Sequence, residues 1–127
     1  MSKLRIKNPS GLTLKVDNYC GFYTINFQLY NSEDYCVGYL ELEKISKDRY
    51  ETHSYLDPEY QGLGIGAYLY SKAIQFCHKK GYRVGSSNFP SKYAKRVWVG
   101  NTLKKRFKIV KRKYKYKRVK WFAYPKK

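Results

Sequence analysis

After Glu59 the sequence contains no aspartate and no glutamate. All nine acids precede residue 60, where they face seven Lys/Arg, while the rest of the chain carries twenty Lys/Arg and no acid. The formal charge of +18 is therefore a property of one half of the chain, and such a half attracts polyanions at low ionic strength. One phosphorylated small molecule does not call for so large an excess. An acidic macromolecular partner, nucleic acid or nucleoprotein, is one expectation; solvated faces on lysine-rich strands are the plain alternative.

Cysteine is also scarce. Cys20, Cys36 and Cys77 are an odd number with no close pair, which argues against a disulfide framework and against a zinc site, so no metal is expected. The N-terminal stretch has no apolar core of signal-peptide length, and no later run is long enough to span a bilayer. A cytoplasmic protein without membrane contact is the expectation. Tandem repeats and long Gly/Ser/Pro linkers are absent too, so residues 1–127 read as a single domain.

What is present begins with alternation. Leu12–Val16 and Tyr23–Tyr30 alternate apolar and polar residues as half-buried strands do. Asn31–Asp34 is a turn cluster, Cys36–Ile45 reads as a third strand, and Arg49–Leu56 as a fourth, stopped at Asp57-Pro58. The period then changes. Ile65, Leu69, Ala73, Ile74, Phe76 and Cys77 recur at helical spacing, with Lys79, Lys80 and Gly81 as a helix stop. Tyr82–Ser86 reads as a strand, Ser91–Lys105 as a second helix, and the remainder as two strands. The expected order is β-β-β-β-α-β-α-β-β, a mixed α/β sheet with an antiparallel first half and a strand–helix–strand crossover.

The segment Gln61-Gly62-Leu63-Gly64-Ile65-Gly66 lies between the fourth strand and the first helix. Glycines there let the backbone approach an anion, and the unpaired amides of the new helix point at it. From the glycines alone, a tight connection with close helix–strand packing is an equal alternative. The spacing is not G-x-G-x-x-G, and no Gly-Lys-Ser/Thr follows, so neither a dinucleotide fingerprint nor a P-loop is present.

These residues resemble the Q/R-x-x-G-x-G/A motif of the GNAT acyltransferases, and Leu56-Asp57-Pro58-Glu59-Tyr60 resembles that family's approach to it. The resemblance covers roughly residues 23–127. It implies an acyl-CoA N-acyltransferase fold using acetyl-CoA, with the fourth and fifth strands splayed around the cofactor arm. The amides of Gln61, Gly62, Leu63, Gly64, Ile65 and Gly66 would hold the diphosphate, the Leu56 amide would meet the acetyl carbonyl, and Asn88 and Ser91 would touch the arm. An amine would attack the thioester directly. Candidate bases on the third and fourth strands are Glu41, Glu51 and His53, with Glu43 beside them. By strand parity Glu51, His53 and Tyr55 share one side, and Glu41 and Glu43 share another.

Two departures stand out. Ala94-Lys95-Arg96-Val97-Trp98 puts tryptophan where many members carry an acid tyrosine, and indole is a donor but not a useful acid. About six residues, 17–22, separate the first two strands, where the family usually has two helices. An open acceptor face suited to a macromolecular amine is the expectation, a degenerate domain the alternative. Finally, Lys104, Lys105, Arg106, Lys111, Arg112, Lys113 and Lys115 interleave with Tyr114, Tyr116, Trp121 and Phe122. Cations that neutralise phosphates and aromatics that stack bases make them candidate nucleic-acid contacts; an edge hairpin protected by lysine is the alternative. A nucleic-acid-binding protein on a catalytically weakened GNAT-like fold is thus the rival to an enzyme.

Overall fold

The computed structural model describes residues 11–19 and 23–126; Cys20 lies outside them. The elements are β1 (Thr13–Tyr19), β2 (Thr24–Tyr30), β3 (Cys36–Ser46), β4 (Arg49–Leu56), α1 (Ile65–Lys79), β5 (Arg83–Ser86), α2 (Lys92–Val99), α3 (Asn101–Arg106), β6 (Phe107–Tyr114) and β7 (Arg118–Pro125). They build a seven-stranded sheet in the order β1-β2-β3-β4-β5-β7-β6. β4 and β5 run parallel, joined by α1 as a crossover; the other neighbours are antiparallel.

The second helix departs from expectation. It breaks at Gly100, whose extended backbone (φ −73°, ψ 156°) ends α2 and starts the separate, shorter α3. Leu103 then turns into the core.

Strand alternation sorts the sheet into two unlike faces. Ile25, Phe27 and Leu29 pair with Leu42, Leu40 and Gly38, which pair in turn with Thr52, Ser54 and Leu56. This row is the core, and α1 lies on it: the rings of Phe27 and Phe76 meet edge to face, 5.9 Å apart. α2 and α3 pack against α1. Burying some twenty apolar side chains, at about 1.5–3 kcal/mol each, supplies the driving force for this layer. The opposite face is polar. There Asn26, Glu41 and His53 lie in register, as do Gln28, Tyr39 and Tyr55, and Thr24, Glu43 and Glu51.

β1 and β2 pair from Thr13↔Tyr30 to Tyr19↔Thr24. Only residues 20–23 remain to join them, too few for an intervening pair of helices. Among the described residues no helix lies between β1 and β2 to cover the polar face beside β4, as the resemblance would supply.

Candidate active site

β4 outruns its parallel partner. The β4–β5 pairs run from Arg49↔Arg83 to Thr52↔Ser86 and stop, while β4 continues to Leu56. Ser86 anchors the divergence. Its hydroxyl accepts the Trp121 N–H at 3.0 Å and donates to the Ser87 carbonyl at 3.0 Å, drawing the end of β5 toward β7. On the other side of β4, the Asp57 N–H donates to the Val37 carbonyl at 2.9 Å. Antiparallel alternation then makes Gly38↔Leu56 a pair without mutual hydrogen bonds. The main-chain N–H groups of Ser54 and Leu56 are directed into the gap between β4 and β5.

The glycine turn closes the end of this gap. Gly62 (φ +80°) and Gly64 (φ +83°) hold left-handed backbone that other residues adopt only with strain. A β-carbon on either would project into open space. Gly64 begins α1 without a side-chain cap, and the first turn of the helix holds no acid. From Gly62 to Ala67 the main-chain N–H groups have no partner among the described residues. They form a row of free donors at the positive end of a fifteen-residue helix.

Gln61 contributes differently from the glycines. Its main-chain N–H is already bonded to the Pro58 carbonyl at 3.1 Å. Its side-chain Nε2 donates to the Leu56 carbonyl at 2.8 Å, and its Oε1 accepts from Arg96 Nη2 at 2.9 Å. Gln61 thereby ties the turn to the strand end and holds a guanidinium beside the free amides. The motif spacing gave no hint of Arg96, which lies thirty-five positions away in sequence. Gly66 also differs. A β-carbon there would meet the Tyr93 hydroxyl at 2.6 Å and Val97 Cγ2 at 2.9 Å, so its role is close packing of α1 on α2.

Behind the turn lies a buried polar group. The Tyr70 hydroxyl and Ser54 Oγ are 2.6 Å apart. Burial pushes the Tyr70 phenol up to about 12, although Ser54, Thr52 and Trp98 around it act the other way. Trp98 is fully buried, edge to face with Tyr70 at 5.6 Å. Burial, then the nearby Tyr70, raises Tyr93 as well, against the pull of Arg96. Among the described residues the Tyr93 hydroxyl and Trp98 Nε1 are buried without a hydrogen-bond partner.

The candidate bases all stand on the polar face of the sheet. Glu41 and Glu43 share that face with Glu51 and His53, because β3 and β4 pair Glu41 with His53 and Glu43 with Glu51. The expectation of two separate sides is corrected: parity within each strand cannot say how the two strands register. Glu51 is bound to Lys120 Nζ at 2.5 Å, both side chains largely buried. His53 Nε2 lies 3.0 Å from Glu43 Oε1. The Tyr39 and Tyr55 rings lie tilted at 34° to each other with centres 6.2 Å apart. Of the remaining candidates, Asn88 is half-buried, and Ser91 Oγ caps α2 by accepting the Ala94 N–H at 3.1 Å. Among the described residues no group of three His, Cys, Asp or Glu side chains converges, and no helix is long and apolar enough to cross a membrane.

Strand gap, glycine turn and helix N-terminus form the arrangement for which the sequence resemblance stands. Residues 8–94 match the family profile described as Acetyltransferase (GNAT) family. No curated protein matches the sequence. Among solved structures, the fold is similar to a GNAT-family acetyltransferase from Staphylococcus aureus (TM-score 0.60, 18% identity, 83% of this chain and 70% of that one). It is similar to a chimeric spermidine N-acetyltransferase from Vibrio cholerae and hSSAT (TM-score 0.58, 14% identity, 81% and 68%). The GNAT domain of PAT from S. lividans is a further likeness (TM-score 0.63, 10% identity, 82% and 61%). At such identities the structures speak for the fold alone, but the profile spans more than half of the chain, and the chain therefore belongs to the GNAT family of acetyltransferases.

Proposed function

We propose that the protein uses acetyl-CoA to acetylate an amine carried by a macromolecule, by direct transfer at the mouth of the β4–β5 gap. The observation that carries this reading is the row of unpartnered main-chain N–H groups from Gly62 to Ala67 at the end of that gap. A diphosphate needs such donors. The open space at the Gly62 and Gly64 β-carbon positions leaves room for one, and Arg96 adds a cation.

When bound, acetyl-CoA supplies a thioester carbon open to attack by a neutral amine. The chain's part is then positioning, charge stabilisation and proton acceptance. Leu56 N–H, directed into the gap, is the donor for negative charge on the carbonyl oxygen. His53 is the base best placed to take the amine's proton. With Nε2–H donating to Glu43, its Nδ1 keeps a lone pair. Glu41, in register with His53, is the second candidate. Glu51 holds Lys120 and shapes the face, its carboxylate already engaged. The amine forms the new C–N bond as the C–S bond breaks, and the sulfur leaves as thiolate. The absence of helices between β1 and β2 leaves the approach open to a large acceptor.

Thermal unfolding with millimolar acetyl-CoA, followed by mass spectrometry of a lysate incubated with labelled acetyl-CoA, tests the reading. The expected result is a raised midpoint and acetate on one protein or nucleoprotein species. An unshifted midpoint and no labelled macromolecule would sink it. Trp98, buried where a tyrosine acid would stand, favours a second reading: a nucleic-acid-binding protein on a catalytically weakened GNAT fold. That reading expects a cofactor-induced shift without turnover.

A further inference from the structure

The outer edge of the sheet carries a surface that acetyl transfer does not use. Among the described residues β6 is an edge strand and pairs only with β7. Seven of the twelve residues from Phe107 to Arg118 are Lys or Arg. Every residue from Lys111 to Lys117 is exposed, so the far half of the hairpin presents cations on both faces. Salt bridges among the described residues join His53 to Glu43, Arg83 to Asp48 and Lys120 to Glu51; none involves residues 107–118. Like charges this close lie within a Debye length of about 8–10 Å, and the fold leaves their repulsion uncompensated.

The tip adds a second observation. Tyr116 (φ 62°, ψ 35°) and Lys117 (φ 59°) both hold left-handed backbone, a turn geometry that favours Asn and Gly. The Tyr116 side chain is 88% exposed and has no hydrogen-bond or ring partner among the described residues. Next to it, the Arg118 guanidinium lies 5.6 Å from the centre of the Tyr114 ring. A strained backbone thus displays an aromatic ring that the fold itself does not use. Lysines that merely protect a sheet edge account for the charge but not for this tyrosine. At the root of the same strand an open cleft of about 780 Å³ is lined by Phe107, Ile109, Tyr124 and Pro125 together with Lys104, Lys108 and Lys126.

We propose that the β6–β7 hairpin is a platform for single-stranded nucleic acid, with a base stacked on Tyr116 and phosphates met by Lys111, Lys113, Lys115 and Lys117. Sequence-tolerant binding of this kind combines a cationic track with exposed aromatic faces. Bases locked in a duplex offer no free face to a tip tyrosine. The inference deepens the macromolecular side of the proposed function and does not depend on turnover.

Fluorescence anisotropy with a labelled 20-nucleotide single strand, the matching duplex and a polyglutamate peptide tests it. Expected are tightest binding to the single strand and a log–log salt slope of about −0.7 per phosphate contacted. Tyr116→Gly relieves the backbone strain, so its unfolding midpoint holds or rises, while single-strand affinity falls on the order of tenfold. Tyr116→Phe retains the affinity, and the acetyl-CoA-induced shift is unchanged in both variants. Tyr116→Gly binding the oligonucleotide like the parent, or duplex or polyglutamate binding as tightly as the single strand, overturns the proposal. Loss of the acetyl-CoA shift alone, with single-strand binding intact, counts against the enzyme reading and leaves this one standing.

Discussion

The hydroxyl of Tyr93 lies so close over Gly66 that a β-carbon on the glycine would come within 2.6 Å of it. Helix α1 and helix α2 touch through this contact, and it fixes the first turn of α1 whose amides face the strand gap. Gly66→Ala is therefore an overpacking change. It should destabilise by about 1–3 kcal/mol, lowering the unfolding midpoint by several degrees. Tyr93→Phe removes the nearest atom, so the double variant should recover part of the loss. Calorimetry of the four proteins checks this; additive effects would show that the two residues do not compete for the same space.

Gly64 separates binding from folding more cleanly. Its β-carbon position is open, but its φ is +83°, so Gly64→Glu carries backbone strain of about 1 kcal/mol. A carboxylate at the start of α1 interacts favourably with the helix dipole by about 0.3–1 kcal/mol, which offsets much of the strain. The variant should fold with nearly unchanged stability and lose its thermal response to acetyl-CoA. A retained response places the diphosphate elsewhere.

These two glycines show what the sequence could and could not convey. Both lie in one recognisable motif, yet one opens space at the turn and the other closes a helix contact; spacing alone does not distinguish them. The four first strands and α1 were legible because alternation and helical period are local. The break at Gly100 was not, since a glycine inside a helical pattern is compatible with either continuation or interruption. The Gln61–Arg96 and Glu51–Lys120 contacts span 35 and 69 positions and depend on how β5, β7 and α2 close on β4. The grouping of Glu41, Glu43, Glu51 and His53 required the β3–β4 register, which no single strand contains.

Glu51 and Lys120 supply the next prediction. The pair is nearly buried, with side-chain exposures of 13% and 8%, so removing one partner leaves a charge out of water without compensation. Lys120→Met should destabilise by about 3–5 kcal/mol, whereas Glu51→Leu combined with Lys120→Met should be markedly less harmful. Denaturant titrations of the single and double variants measure the coupling. Equal losses in Lys120→Met and the double variant would remove the pair as a source of stability.

His78 makes stability depend on pH. Burial holds its pKa below the ordinary 6.5, while the hydrogen bond from Nε2 to the Ala123 carbonyl acts the other way. Below 6.5 the unfolded chain binds a proton that the folded chain resists. The contribution is present above that value and is lost as pH falls toward and through the folded pKa. Acidification from pH 7.5 to about 5 should therefore lower the unfolding midpoint, and His78→Gln should show a smaller decrease over the same range. An identical decrease in both proteins would assign the acid sensitivity to other groups.

His53 is the position where chemistry and structure can be told apart. It is partly exposed on a polar sheet face and, among the described residues, makes one side-chain hydrogen bond, to Glu43, so its loss should disturb folding little. If it accepts the amine's proton, His53→Gln should lower kcat by roughly 10²-fold or more, because that is the usual contribution of a positioned base. The acetyl-CoA thermal shift should persist, since the free amides beyond Gly62 are untouched. Glu43→Gln, which leaves the imidazole in place but removes its carboxylate partner, should lower kcat less. Should His53→Gln retain full activity while Glu41→Gln abolishes it, proton acceptance belongs to the neighbouring carboxylate on β3, reached through the same open face.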